Sequence, residues 1–264
     1  MKKIWKTICI ISLVGCLAAG SFAVYYKTNE KKGKESYEEL KNTVKDETPV
    51  EVPEKNSVKV SPTPIPTPTE IPVEIPIDFE ELQKQNEDIY AWITLEGTNV
   101  DYPVLQSPED DGLYIDHGID KEYLFAGAIY SERKNKKDFS DFNTVLYGHN
   151  MKDGSMFASL HNFRDEEFFK KNREILVYTP EHIFHYEIFA AYTFDNRHIL
   201  NNFDFTTEKG RIDYLDEVYH VRSMDTHFLD EPKVTHKDKI ITLSTCIGRD
   251  DARYLVQGVL TEME

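Results

Sequence analysis

Apolar and polar positions are distributed unevenly along the 264-residue chain. Residues 8–26 contain no charged side chain, and this run of 19 residues is close to the length of about 20 that crosses a bilayer as a helix. Lysines precede the run and two tyrosines end it, as interfacial aromatic residues often do. We therefore expect an uncleaved, single-pass signal anchor, with residues 1–7 in the cytoplasm and the rest of the chain outside the cell.

Two other processing routes fit the same N-terminal run. Residues 21–23, Ser-Phe-Ala, fit a signal-peptidase site, and residues 13–16, Leu-Val-Gly-Cys, resemble a lipoprotein box that would acylate Cys16. The apolar run is long for a cleaved signal, which favours the anchor. All three routes export the remainder of the chain.

Proline dominates the segment that follows the apolar run. Eight of the twelve prolines lie between Pro49 and Pro76, and they recur at every second position from Pro62 to Pro68. This pattern favours extended polyproline II structure and a semi-rigid spacer. We expect residues 27–77 to form an extracellular stalk that holds a folded domain, residues 78–264, away from the membrane.

The folded domain begins with a helix signal and continues in short β-rich runs. Asp78 and Glu81 form a capping-box pattern, which predicts an amphipathic helix over 78–93. Apolar runs bounded by turn residues then predict strands at 98–106, 123–131, 143–150, 174–180, 182–194, 239–246 and 253–260. Further helices are expected at 155–162, 166–172 and 207–220. The fold class is therefore mostly β with flanking helices, either a barrel or a sandwich.

Charge and motif content narrow the possible functions. The net charge is −16, and the first 34 residues contain seven lysines and one glutamate, so the remainder carries −22. A body this acidic does not suit a phosphate backbone, which argues against nucleic acid as a partner. No Cys-x-x-Cys, His-Glu-x-x-His or Gly-rich phosphate loop occurs in the sequence, so we expect neither a metal nor a cofactor.

Cys246 is the single cysteine of the exported body, so no intramolecular disulfide can form there. It ends an apolar strand, and Gly248 follows in a turn, so the thiol is expected at a rigid strand end beside a loop. A buried, inert cysteine is the plainer interpretation.

Arg253 opens the final predicted strand, and a hairpin would bring it to the same end of the sheet as Cys246. A guanidinium there can stabilise a thiolate or an oxyanion on a substrate carbonyl. The plainer interpretation is a surface arginine paired with Asp250 or Asp251. Arg249 is the nearest competing cation, but Arg253 is preferred because a strand fixes its direction.

His149 stands out among the nine histidines because of its setting. A β-run ends at Tyr147, and Gly148 lets the backbone turn beside the imidazole. Histidine is the usual general acid or base near neutral pH. The other eight histidines are expected to lie on the surface or to pack.

These segments, taken in order over about 78–262, resemble the sortase family, and class B sortases most. The resemblance lies in Thr242-Leu243-Ser244-Thr245-Cys246 with the arginine that follows, and in Tyr147-Gly148-His149-Asn150-Met151. It extends to residues 91–104, 114–117 and 150–157. Two departures are the short loop between Cys246 and Arg253 and the segment Ser131-Glu132-Arg133, where the family pattern has an aromatic residue.

The resemblance implies a closed β-barrel of seven to eight strands with an N-terminal helix and a helix near 207–220. It also implies a cysteine transpeptidase, with Cys246 as nucleophile, His149 as general acid and base, and Arg253 stabilising the oxyanion or the substrate. Ser244 and Tyr147 would line the substrate groove.

The resemblance further implies the partners. The donors would be exported proteins with a threonine-containing C-terminal sorting motif, and the acceptor an amine of a peptidoglycan precursor or cross-bridge, or a pilin lysine. The enzyme would act at the cell membrane of a Gram-positive bacterium without a cofactor. Two other functions remain open, a secreted cysteine peptidase and a non-catalytic wall-binding module.

Overall fold

The computed structural model describes residues 2–45, 74–229, 233–249 and 251–264. The strands are β1 (Ile89–Leu95), β2 (Asp101–Leu105), β3 (Ile129–Tyr130), β4 (Asn143–Tyr147), β5 (Glu174–Tyr178), β6 (Ile183–Asp195), β7 (His227–Phe228), β8 (Ile240–Cys246) and β9 (Ala252–Met263). The helices are α1 (Lys2–Val44), α2 (Phe79–Gln85), α3 (Glu166–Lys171), α4 (Ile199–Asn202) and α5 (Glu208–His220), with 3-10 helices at Leu113–Ile115 and Ala158–Arg164.

Eight of these strands close into a barrel, which confirms the predicted fold class. Their order is β5-β1-β2-β3-β4-β8-β9-β6, and β6 pairs back onto β5. β7 adds two residues to the edge of β6. The β2–β3 and β4–β8 pairs are parallel and the other pairs are antiparallel.

Helix α5 covers one side of the barrel, as the sequence predicts. Thr207 caps it by accepting a hydrogen bond from Gly210 N through Oγ1 at 3.2 Å. Its apolar face buries Tyr214 and Val218 in a cluster that includes Tyr192 of β6. Helix α5 therefore covers the outer face of strands whose apolar residues would otherwise be exposed to water.

The predicted helix over 78–93 is wrong beyond its first two turns. Asp78 does cap α2, since its Oδ1 accepts from Glu81 N at 2.9 Å, but α2 ends at Gln85. Residues 89–95 instead form β1, which pairs with β2 and β5. Almost every residue of β1 is buried, and a short apolar run buried on both faces cannot be told from a helix by periodicity.

The predicted strand over 123–131 is also mostly wrong. Only Ile129 and Tyr130 join the barrel, as β3. The preceding residues form part of a loop that begins at Ile115, the last residue of the 3-10 helix Leu113–Ile115. The apolar composition of residues 123–131 does not distinguish a strand from a loop that packs against another element.

The predicted stalk over 27–77 differs from the structure in its first part. Helix α1 continues to Val44, and Tyr37, Leu40 and Val44 are buried in the main core cluster. Lys45 forms a β-bridge with Ile77, so both ends of the proline-rich segment lie together. Residues 46–73, which include seven of the eight clustered prolines, lie outside the described residues.

Candidate active site

A cavity of about 250 Å³ opens at one end of the barrel. Its walls come from the ends of β4 and β8, the start of β9 and residues 194–199 at the end of β6 and beyond. The parallel pairing of β4 with β8 sets their carboxyl ends side by side, and β9 starts at the same edge because it follows β8 through a hairpin. Side chains from distant parts of the chain therefore share one cavity.

Cys246 is the last residue of β8 and a free, partly exposed cysteine that lines the cavity. Its backbone carbonyl accepts hydrogen bonds from Asn150 Nδ2 and His161 Nε2, each at 3.0 Å. Burial lowers the pKa of His161, so its ring stays neutral near pH 7 and donates through Nε2. The strand end that carries the thiol is thus held by two side chains.

Arg253 is the cross-strand partner of Cys246, at the start of β9, and lines the same cavity. Directly opposed residues of an antiparallel pair project to the same face, so the guanidinium extends from a position beside the thiol. Arg249 lies outside the cavity lining and pairs with Asp251 at 3.2 Å. Asp250 lies outside the described residues.

His149 lies two residues after the end of β4 and lines the cavity. Gly148 N donates to Ser244 O at 3.2 Å, and Thr245 Oγ1 donates to Gly148 O at 2.8 Å. A Cβ at position 148 would lie 2.5 Å from Ile129 Cδ1 and 2.8 Å from the ring of Phe157, so a larger residue would force these neighbours to shift. These contacts fix the backbone that carries the imidazole.

The ring of His149 is held by its edge and by its face. Its Nε2 lies 2.6 Å from the carbonyl oxygen of Ile115, and the ring of Phe125 stacks on it with centroids 5.9 Å apart at 18°. A carbonyl can only accept, so Nε2 carries a proton. Nδ1 is then the ring nitrogen that this carbonyl does not contact.

Tyr147 and Ser244 are register partners in the β4–β8 pair, and both line the cavity. The hydroxyl of Tyr147 is buried and has no hydrogen-bond partner among the described residues. Burial raises the pKa of Tyr147, and the Glu132 carboxylate adds to this, so the hydroxyl remains protonated and available as a donor.

One hydrogen-bonded pair in the cavity wall has no signal in the sequence. Glu132 Oε1 and His198 Nε2 lie 2.7 Å apart, although the sequence places His198 with the surface or packing histidines. The two residues follow β3 and β6, 66 positions apart, so no spacing pattern connects them. Among the residues that the structure describes, no group of three or more His, Cys, Asp or Glu side chains is arranged to hold a metal ion.

The structure thus gathers Cys246, His149, Arg253, Ser244 and Tyr147 around one cavity. A thiol, an imidazole and a guanidinium together can supply a nucleophile, a proton carrier and a fixed positive charge. A closed barrel with these groups at one open end is therefore suited to thiol-dependent acyl transfer.

Comparisons with known proteins give the same class. The sequence profile of the sortase domain matches residues 93–261. Sortase B of Listeria monocytogenes is 38% identical over 188 residues, covering 69% of this chain and 74% of the relative. Sortase B of Staphylococcus aureus is 32% identical over 168 residues, covering 64% of this chain and 67% of the relative.

Solved structures of sortase B share the fold. A Bacillus anthracis sortase B in complex with AAEK1 is 27% identical with a TM-score of 0.69, covering 89% of this chain and 99% of that chain. Clostridium perfringens sortase B is 30% identical with a TM-score of 0.63, covering 70% and 100%. The chain belongs to the sortase family, whose members are cysteine transpeptidases, and within it the chain is most like class B sortases.

Proposed function

We propose that this transpeptidase cleaves a threonine-containing sorting motif near the C terminus of exported proteins. It then transfers the acyl group to an amine of the cell wall, from a peptidoglycan precursor or cross-bridge, or to a pilin lysine. The convergence of Cys246, His149 and Arg253 on one open cavity is the observation that supports this most directly.

The first step forms a thioester on Cys246. The thiolate sulfur adds to the threonine carbonyl carbon, and the carbonyl electron pair moves onto oxygen. When the tetrahedral intermediate collapses, the carbon–nitrogen bond breaks and the departing amine takes a proton from His149. Arg253 stabilises the negative oxygen from its position beside Cys246.

The second step resolves the thioester with an amine. His149 takes a proton from the incoming nitrogen as that nitrogen adds to the thioester carbon, and Cys246 leaves as a thiolate. One amide bond is broken and one is made, so the transfer is balanced without an external energy source. No cofactor is required.

The groove on either side of the thiol supplies the substrate contacts. The Tyr147 hydroxyl is protonated and has no partner among the described residues, so it can donate to a carbonyl of the sorting motif. Ser244 lies across from Tyr147 in the neighbouring strand and lines the same groove. Because both residues line the cavity, we place them in substrate binding.

We assign residues 8–26 to a membrane anchor, residues 1–7 to the cytoplasm and the catalytic domain to the outside of the cell. Among the described residues, one helical stretch, Ile11–Val44, is long and apolar enough to cross a membrane. Ile11, Leu17 and Phe22 have relative exposures of 67%, 64% and 69%, and a helix so apolar on its outside suits lipid rather than water.

The test uses the full chain in detergent micelles and a library of threonine-containing sorting peptides. We expect cleavage that depends on Cys246 and, when oligoglycine is added, a ligated peptide product. Cys246→Ala is the control and should give neither. Absence of cleavage of every peptide while the thiol remains reactive to alkylation would contradict the proposal, and cleavage that never yields a ligated product would indicate a peptidase.

A further inference from the structure

The loop of residues 115–127 lies between helix α1 and the candidate active site. At one side it contacts His149, through the carbonyl oxygen of Ile115 at 2.6 Å and the stacked ring of Phe125. The edge and the face of the imidazole are therefore both held by this one loop. Moving the loop would change the direction in which the imidazole points.

At its other side the same loop is attached to α1. Phe125 N donates to Asn29 Oδ1 at 2.7 Å. The rings of Tyr26 and Phe125 pack edge to face, with their centroids 5.2 Å apart. Further along the helix, Lys32 Nζ lies 3.7 Å from Asp120 Oδ2, and Tyr37 donates from its hydroxyl to Gly127 O at 2.7 Å. Residues of α1 thus hold the loop in its middle, at Asp120, and at its C-terminal end, at Phe125 and Gly127.

The helix approaches the loop this closely because of small and apolar positions on one face. A Cβ at Gly33 would lie 3.2 Å from Leu124 Cδ1, which leaves little room for a larger residue. Tyr26, Gly33 and Tyr37 are spaced seven and four residues apart, so they share one side of the helix.

Phe125 depends on these contacts for its position. Its side chain is 39% exposed, so the barrel core does not enclose it. Its backbone N–H donates to the side chain of Asn29 in α1, and its ring contacts both Tyr26 and His149. The contact that orients the imidazole face is thus shared with the helix that carries the apolar run.

We propose that residues 26–37 of α1 are a positioning element of the active site, which holds the 115–127 loop so that Phe125 and the Ile115 carbonyl orient the His149 imidazole. This inference rests on the proposed catalytic role of His149. It makes the membrane-proximal helix part of the working enzyme and not only a tether. A barrel without that helix keeps Cys246, His149 and Arg253 but loses the contacts that hold the loop against the His149 imidazole.

The test compares matched substitutions in the full chain in detergent micelles. Asn29→Leu removes the acceptor of the Phe125 N–H, and Asn42→Leu makes the same change at an exposed position farther along α1. Phe125→Leu removes the stacked ring, Tyr123→Leu changes a neighbouring ring that packs on His117, and Phe125→Tyr keeps an aromatic ring.

Two readouts separate positioning from general stability. We expect Asn29→Leu and Phe125→Leu to lower kcat for a sorting peptide about tenfold with KM unchanged, since misplacing a catalytic group slows the chemical step more than binding. Asn42→Leu and Tyr123→Leu should have the same kcat as the unaltered chain. Phe125→Tyr, which keeps an aromatic ring, should retain that kcat as well. The second readout is the NMR spectrum of protein whose histidine rings are labelled with carbon-13. We expect Asn29→Leu to change the chemical shift of the His149 resonance. That resonance is assigned as the one that His149→Gln lacks.

An unshifted His149 resonance in Asn29→Leu would overturn the positioning proposal. Equal losses of kcat in Asn29→Leu and Asn42→Leu would overturn it as well, because they would reflect a general effect on the helix. The resonance test does not require turnover. If the chain ligates no peptide at all, the proposed function fails, while the shift of the resonance still decides whether α1 positions the imidazole.

Discussion

At the scale of single residues, Tyr147 combines a buried hydroxyl with a position in the cavity lining. Its hydroxyl is buried, and no described residue hydrogen-bonds to it. A buried, unsatisfied donor costs about 1–3 kcal/mol of stability. A side chain that destabilises the fold while facing the cavity is a candidate for a function that appears only when substrate is bound.

We therefore expect Tyr147→Phe to raise KM for the sorting peptide while the free energy of unfolding stays the same or rises. Tyr186→Phe is a matched control, because the Tyr186 hydroxyl is also buried without a partner among the described residues but Tyr186 lies outside the cavity lining. Steady-state kinetics and urea unfolding measure the two effects. An unchanged KM in Tyr147→Phe would remove this residue from substrate binding.

His161 links the stability of the site to pH. Burial lowers its pKa below the ordinary value of 6.5, so the unfolded chain binds a proton more readily than the folded one. Between the lowered value and 6.5 the unfolded state holds more protons, and the free energy of unfolding falls as the pH decreases through that window.

The variant His161→Gln keeps a donor for the Cys246 carbonyl but does not titrate. We expect its urea unfolding free energy to decrease less than that of the unaltered chain between about pH 7.5 and about pH 5.5, where a histidine of ordinary pKa becomes charged. Parallel pH dependences for the two proteins would show that His161 does not carry this effect.

At the scale of elements, the second half of α1 belongs to the folded domain. Tyr37, Leu40 and Val44 lie at helical spacing, and all three are buried in the same cluster as β1 and β2. Lys45 also pairs with Asp101 at 2.6 Å across the helix end. The core of this enzyme thus extends beyond residues 93–261, the part that the sortase profile matches.

The variant Leu40→Ala is expected to lower the free energy of unfolding by about 2–5 kcal/mol, the usual loss when a buried leucine is truncated. Glu39→Ala, at an exposed neighbouring position, should change it little. Urea denaturation of the two variants measures this. Equal stabilities would mean that α1 does not pack on the barrel in solution.

The sequence predicts some elements well for a physical reason. The segments that became β4, β8 and β9 are bounded by turn residues and have a clear apolar run, and the hairpin that joins β8 to β9 places Arg253 opposite Cys246. The helical spacing of Tyr37, Leu40 and Val44 was also available in the sequence, but the prolines that follow favoured a stalk. The predicted stalk is therefore wrong at the boundary between the helical pattern and the proline-rich pattern.

Parts of the site that depend on long-range packing were not predictable. The Glu132–His198 pair and the stacking of Phe125 on His149 join residues from separate loops. Their contacts follow from how the barrel closes and how α1 lies against it, and neither has a local pattern. Sequence reasoning therefore identified the reacting groups but not the residues that surround and orient them.

At the scale of the whole molecule, the barrel and the helix that carries the apolar run form one connected unit. Helix α1 runs without a break from the apolar segment into the core, and the loop beside the cavity contacts it at Tyr26, the last residue of that segment. If residues 8–26 span the membrane, the cavity opens within a few turns of the bilayer surface. This differs from an enzyme held at a distance on a proline-rich spacer.

The central claim, acyl transfer through Cys246, is tested most directly by intact-protein mass spectrometry of the full chain mixed with a cleavable sorting peptide. We expect a mass increase equal to the acyl fragment, located on Cys246 by peptide mapping, and its loss on addition of oligoglycine as ligated peptide accumulates. Turnover of the peptide with no adduct on Cys246, or undiminished turnover by Cys246→Ala, would contradict the account.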